Sequence, residues 1–143
     1  MLSQTAEYAL RAIVCLSDQP DKPLTGPNLA RATQVPAGYL SKVMQSLARA
    51  GLVDAQRGKN GGFSLISPPD RITILHVINA VDPLQRIRKC PLGLKGHERL
   101  CPLHRRLDEA LEHVERVFAE TRISDLLHDA VKPLCELVEL THA

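Results

Sequence analysis

Three side chains in the second half of the chain have the types and spacing to hold a soft metal or form a redox couple. Cys101 and His104 stand as Cys-x-x-His. At the start of a helix that spacing turns both side chains toward one site. Cys90 lies earlier in an irregular stretch that also holds His97. Thiolate and imidazole ligate iron and zinc, and two thiols can instead close a disulfide. The stretch is basic, with Arg86, Arg88, Lys89, Lys95 and Arg99, and Arg105 follows it. Positive charge favours the thiolate, and the Cys90-Pro91 and Cys101-Pro102 contexts read as accessible thiols. Cys15 and Cys135 fall within apolar stripes and read as small core residues. His76, His113 and His128 are isolated on helices and read as surface or packing residues. In a reducing cytosol, four cysteines point to thiols, metal ligands or a redox switch rather than structural disulfides.

A second chemistry is suggested by a polar helix face and a glycine-rich turn. Tyr39, Ser41 and Lys42 lie early on a helix whose opposite face is apolar. Such a face can meet base edges and phosphates in a major groove. The turn Arg57-Gly58-Lys59-Asn60-Gly61-Gly62 carries two cations. Its glycines Gly58, Gly61 and Gly62 permit positive backbone angles and close approach to a narrow groove. Without a partner element, either feature reads equally well as a solvated face or an ordinary hairpin turn.

The elements that must position these residues follow from periodicity. Ala6, Ala9, Leu10, Ile13 and Val14 form a helical stripe over residues 3–18, with Ser3 as its N-cap. Thr25 caps a short second helix with Pro27 in its first turn, and Thr33-Gln34-Val35-Pro36 is a tight corner. A third helix runs from Ala37 to Ala50 and stops at Gly51. The period then changes to that of a hairpin, residues 52–57 and 63–66 around the glycine turn. A fourth helix covers residues 73–81 from a Thr73 cap, and Asp82-Pro83 ends it. A long helix spans residues 103–121, with Leu103, Leu107, Leu111, Val114 and Phe118 on one side. Ser124 caps a last helix carrying Leu126, Leu127, Val131, Leu134 and Leu137. The fold class is mainly α with one small β-hairpin. It is a winged helix-turn-helix domain over residues 1–83, a cysteine loop over 84–102, and a dimerisation helix with a terminal helix over 103–143.

Composition narrows the function. At 143 residues, 44% of them hydrophobic, the chain builds one domain with an appendage. Aromatics are 3%, with no Trp, so the core must be aliphatic. No apolar run approaches a membrane span, and the first residues lack a secretion signal, so a cytoplasmic protein is expected. There is no nucleotide loop and no nucleophile–base pair, so no enzyme is expected. Residues 1–104 hold 13 Lys/Arg against 7 Asp/Glu, a net of +6, while residues 105–143 hold 5 against 9, a net of −4. That split suits a nucleic-acid-facing front and a tail that faces water or a partner.

Several segments occur together in a familiar order: Glu7-Tyr8-Ala9-Leu10-Arg11-Ala12, Tyr39-Leu40-Ser41-Lys42, Ala50-Gly51-Leu52-Val53 and Arg57-Gly58-Lys59-Asn60-Gly61-Gly62-Phe63. Pro68-Pro69-Asp70-Arg71-Ile72-Thr73 and Cys101-Pro102-Leu103-His104 follow. Together, over residues 2–130, they resemble the Rrf-two (IscR/NsrR-like) family of bacterial transcription regulators.

The resemblance implies a homodimer that binds a palindromic double-stranded operator, and the chain is read as a repressor or dual regulator. It implies major-groove contact by Tyr39, Ser41 and Lys42, and wing contact by Arg57, Gly58, Lys59, Gly61 and Gly62, with Arg57 in the minor groove. Many relatives carry an acidic residue where Ser41 stands, so the operator is expected to differ. Relatives with an iron–sulfur cluster usually show three cysteines in this loop. Cys90 matches the first and Cys101 the last, while the middle one is missing and His97 lies in the gap at a different offset. Some relatives supply a carboxylate from the partner's first helix, where Glu7 stands. Cys90, Cys101, His104 and Glu7 then make a four-ligand set of two-iron type. Three states of the loop stay open: that cluster, a Cys90–Cys101 disulfide switch, or an inert loop with no cofactor. A metal- or redox-binding protein without DNA binding is the rival reading of the whole chain.

Overall fold

A computed structural model describes residues 2–128 apart from 94, 97 and 98. Helix α1, Gln4–Asp18, is the central element. The Ser3 hydroxyl accepts from the Ala6 N–H at 3.1 Å, satisfying a donor that the first turn would otherwise leave open. Ala6, Ala9, Ala12, Ile13, Cys15 and Leu16 form its buried face. The small alanines let α2, Gly26–Thr33, and α3, Ala37–Arg49, approach closely. Thr25 caps α2 through the Asn28 N–H. Gln34 ends it in the left-handed region at φ 56° and makes the corner into α3. Gly51, at φ 78°, turns the chain after α3.

Strand β1, Val53–Gln56, pairs antiparallel with β2, Gly62–Leu65, in the register Val53↔Leu65 to Gln56↔Gly62. Leu24 extends this hairpin as a third partner: its N–H donates to the Phe63 carbonyl at 3.0 Å, and its carbonyl accepts from the Phe63 N–H at 2.7 Å. A single 3-10 turn, Pro69–Arg71, leads to α4, Ile74–Val81. The Thr73 cap is reciprocal, because the His76 ring Nδ1 accepts from the Thr73 N–H while the Thr73 hydroxyl accepts from the His76 N–H. His76, read as a surface or packing residue, is thus a capping residue.

The core is aliphatic, as composition requires. Ile13, Leu29, Leu47, Met44 and Val77 are all at 0% exposure, and each contributes about 1.5–3 kcal/mol of burial. Ile123, also at 0%, joins this core from the far end of the chain. It arrives through helix α5, Pro102–Glu120, and two return hydrogen bonds: Ile74 N–H to Thr121 O, and Ile123 N–H to Ile72 O. The last described helix, α6, is Ile123–Leu126, and its N-cap is Arg122 rather than Ser124, with Asp125 accepting from the Arg122 N–H. Val131, Leu134, Leu137 and Cys135 lie outside the described residues. Cys15 is buried on α1, as read from its stripe, but it is disulfide-bonded, so the expectation of thiols rather than disulfides fails there.

Helix α5 differs from every other long helix. None of its 19 residues is buried, and Leu103, Leu107 and Val117 stand 63%, 47% and 44% exposed.

Candidate nucleic-acid interface and cysteine site

The corner at Gln34 holds α3 across the end of α2, so that α3 buries Leu40, Val43, Met44 and Leu47 and presents its other side outward. Tyr39, Ser41 and Lys42 are all on the exposed side. The Ser41 hydroxyl donates back to the Ala37 carbonyl at 3.2 Å. Tyr39 packs edge-on against Tyr8 of α1, with ring centroids 5.7 Å apart. Tyr39 is therefore a buttress of α3 as well as an exposed side chain. The Arg11 guanidinium lies 5.5 Å from the Tyr8 ring centre and donates to the Thr33 carbonyl at 3.3 Å. It ties α1 to the end of α2, next to the corner.

Arg57, Gly58 and Lys59 are exposed at the hairpin tip. The three glycines differ in what requires them. A side chain on Gly61 would put its Cβ 2.3 Å from the Gln56 carbonyl, and one on Gly62 would put it 2.6 Å from the Leu24 carbonyl. Both are glycine because the hairpin's own backbone fills the space. Gly58, at φ 111°, has open space around it and needs only its backbone angle. Positive backbone angles and close approach to a groove were the expected reasons for all three, and the angle is positive at Gly58 and Gly62 but not at Gly61. At Gly61 and Gly62 the fold already supplies a sufficient one.

The cysteine site is assembled from two segments. Cys101 is the N-cap of α5 and Pro102 its first residue, which places His104 one turn in. The Cys101 Sγ lies 3.0 Å from the His104 Nδ1, and the Cys90 Sγ lies 3.8 Å from the same nitrogen. The three ligand atoms all fall within 4.8 Å of one another. Two sulfurs and an imidazole at that separation are a donor set for a soft metal or an iron–sulfur unit. Cys90 and Cys101 are free thiols. The expectation that both are accessible fails at Cys90, which is only 8% exposed. The Cys-Pro dipeptide says nothing of what the rest of the chain lays over it. His97 lies outside the described residues.

Glu7 stands apart from this group within the chain. Its carboxylate pairs with Arg11 one turn along α1, at 2.9 and 3.0 Å.

Sequence reasoning missed the polar clamp beside the cysteines. Arg86 grips Asp108 through two parallel hydrogen bonds, Nε to Oδ1 at 2.7 Å and Nη2 to Oδ2 at 2.8 Å. Asp108 Oδ1 also accepts the Ile87 N–H at 2.9 Å, and Arg86 Nη1 reaches Glu115 at 3.3 Å. Hydrogen bonding to Arg86 holds the Asp108 carboxyl down at about 2, against the opposing cost of desolvation. The same bonds raise Arg86 above its ordinary value. Both partners are charged throughout the neutral range.

A helical domain with a helix-turn-helix corner, an outward third helix and a glycine-tipped hairpin is a winged-helix DNA-binding regulator. The family model described as "Rrf2: Iron-dependent Transcriptional regulator" matches residues 2–129. The chain belongs to this Rrf2 family. A putative HTH-type transcriptional regulator of Aquifex aeolicus is 30% identical over 138 residues, covering 94% of this chain and 96% of that protein. Among solved structures, CymR, titled the global cysteine regulator of B. subtilis, is 26% identical with a TM-score of 0.73, over 88% of this chain and 95% of its own. T. potens IscR is 22% identical with a TM-score of 0.77, over 92% and 88%. Family and relatives are transcriptional regulators, not enzymes. Among the described residues, no helix is long and apolar enough to cross a membrane.

Proposed function

We propose that the chain is a homodimeric repressor of a palindromic operator whose affinity is set by an iron–sulfur cluster of two-iron type. The observation that carries the sensor part is the convergence of Cys90, Cys101 and His104 within 4.8 Å. These three residues would hold the cluster, with Glu7 of a second copy as the fourth ligand. The cluster would supply a redox- and nitric-oxide-sensitive centre whose potential rises as imidazole and carboxylate replace thiolate.

The chain's own residues do the rest. Tyr39, Ser41 and Lys42 face the major groove, and Arg57 and Lys59 extend the contact at the wing, with Gly58 giving the tip its turn. Gly62 keeps that wing on Leu24, and Gly61 closes its turn against Gln56. The exposed apolar side of α5 is the surface that a second copy covers. It sets two recognition helices about 34 Å apart, one turn of B-DNA. To serve as a ligand, Glu7 would have to give up its pair with Arg11. That loss acts on the residue that also ties α1 to the corner before α3, so a coupling of about 1–3 kcal/mol is enough to switch occupancy.

A thiol–disulfide switch is the second reading, favoured by the same proximity of two free thiols. An anaerobic visible spectrum with an iron assay tests the first. Reconstituted protein should absorb in the visible, Cys90→Ala and Cys101→Ala should abolish the bands, and Cys15→Ala should leave them. Wild type that takes up no iron transfers the role to the disulfide. In that case a Cys90–Cys101 crosslink should appear after mild oxidation and alter operator affinity.

A further inference from the structure

Cys90 reaches the site from a segment with no regular secondary structure, so something other than a helix or sheet ladder must hold it there. The entry to that segment is fixed at Arg86 and Ile87, three to four residues before Cys90. Both are bound to one carboxylate, Asp108, which lies one helical turn beyond His104 on α5. The two arms of the site are therefore tied together by a three-bond clamp immediately behind the ligands. The clamp is shielded, with the Arg86 and Asp108 side chains 22% and 19% exposed. Glu115, and Glu112 at 3.9 Å, give the guanidinium further anionic partners on the same helix. Bidentate pairing fixes orientation as well as distance, which a lysine or a single hydrogen bond cannot do.

We propose that Arg86 and Asp108 are positioning residues of the cysteine site: their clamp preorganises the Cys90 sulfur against Cys101 and His104 and thereby sets how tightly the site holds its occupant. This rests on the reading of the three residues as a functional site, but not on which occupant is native. Removing the clamp leaves every ligand in place and frees the Cys90 arm, so affinity falls while the loaded site keeps its ligands. Outer partners of metal ligands typically govern about ten- to a hundredfold in affinity.

The test uses the full chain, reduced and anaerobic, titrated with Co2+ and read by the sulfur-to-cobalt charge-transfer band. Arg86→Ala and Asp108→Ala should each weaken Co2+ binding by roughly tenfold or more, with an unchanged band shape at saturation. Arg86→Lys, which keeps the charge but not the fork, should still lose most of that affinity. Asp108→Asn, which keeps an acceptor for the Ile87 N–H, should lose less than Asp108→Ala. The second readout needs no metal: in a glutathione buffer, two thiols and one oxidised glutathione give the Cys90–Cys101 disulfide and two reduced glutathiones. That equilibrium constant should fall several-fold in the clamp variants, because the effective concentration of one sulfur at the other drops. Matching values for wild type and variants in both measurements overturn the proposal. Wild type that reconstitutes no iron–sulfur cluster, while both readouts still shift, sinks the cluster reading and leaves the clamp standing.

Discussion

The winged-helix domain and the α5 arm are stabilised by different physics. In the domain, ten or more aliphatic side chains are excluded from water, and α1, α2 and α4 each start from a Ser or Thr cap, while α3 starts at Pro36 without one. In α5 no residue is buried, the N-cap side chain makes no capping bond, and the helix is moored by polar clamp and end contacts instead. The first region is complete within one chain. The second leaves apolar side chains open to water and frames the cysteine site. In the proposed dimer, rigid reading heads and a separately held arm would let the state of the arm move one head relative to the other.

The strongest way to break this contrast is to charge the open face. Leu107→Glu with Val117→Glu, at two of the exposed apolar positions, should give a monomer in sedimentation at micromolar concentration. Specific operator affinity should drop to the nonspecific level, roughly a thousandfold or more, while the helix content of the domain survives. A dimer that persists would mean that α5 is not the assembly surface.

Core truncation should show the opposite pattern. Leu47→Ala empties space around a side chain at 0% exposure and should cost about 2–5 kcal/mol in urea unfolding, whatever the protein concentration. Leu107→Ala, at 47% exposure, should have an effect that shrinks as concentration rises if, as proposed, a second copy covers this side chain. Equal, concentration-independent losses would erase the distinction between the two regions.

Within the reading surface, Arg57→Ala should weaken operator binding by about 1–3 kcal/mol if the side chain enters a groove, and Lys42→Ala should lower the salt slope of binding by about one if it neutralises a phosphate. Gel-shift titrations over a salt series separate the two. Loss of slope without loss of sequence preference at Arg57 would reassign it to the backbone.

The smallest expected effect is a flat one. Asp108 is depressed to about 2, so the stability its ionisation contributes is present above the unfolded value near 4 and fades as pH falls through about 2. Arg86 is raised, so its contribution is present below its unfolded value, far above neutrality. The melting-temperature difference between wild type and Asp108→Ala should therefore stay constant from about pH 5 to 9. A difference that changes across neutrality would mean that another group near the clamp titrates.

Much of the molecule was legible because its signals are local. Ser3, Thr25 and Thr73 cap the helices they were expected to cap, and Ala6, Ala9 and Ile13 of the α1 stripe are buried, while Leu10 and Val14 are half-buried and Ala12 and Leu16 complete the face. The hairpin formed around its glycine turn, with the first strand one residue shorter at each end than read and the second shifted back by one residue. Cys101 with His104 was legible too, since three residues at a helix start define their own geometry.

The long-range features were not. The chain's own sequence determined where helices begin, which faces are apolar and that a basic, glycine-tipped wing follows a helix-turn-helix corner. Those depend on bonds spanning three or four residues and on side-chain periodicity. Tertiary structure alone decided that Cys90 is covered and brought to His104, that Gly61 and Gly62 make room for Gln56 and Leu24, and that Ile123 returns to the first domain's core. It alone paired Arg86 with Asp108 across 22 positions. Each of those contacts joins segments whose separation is fixed by the path of the whole chain, and no spacing within either segment encodes it.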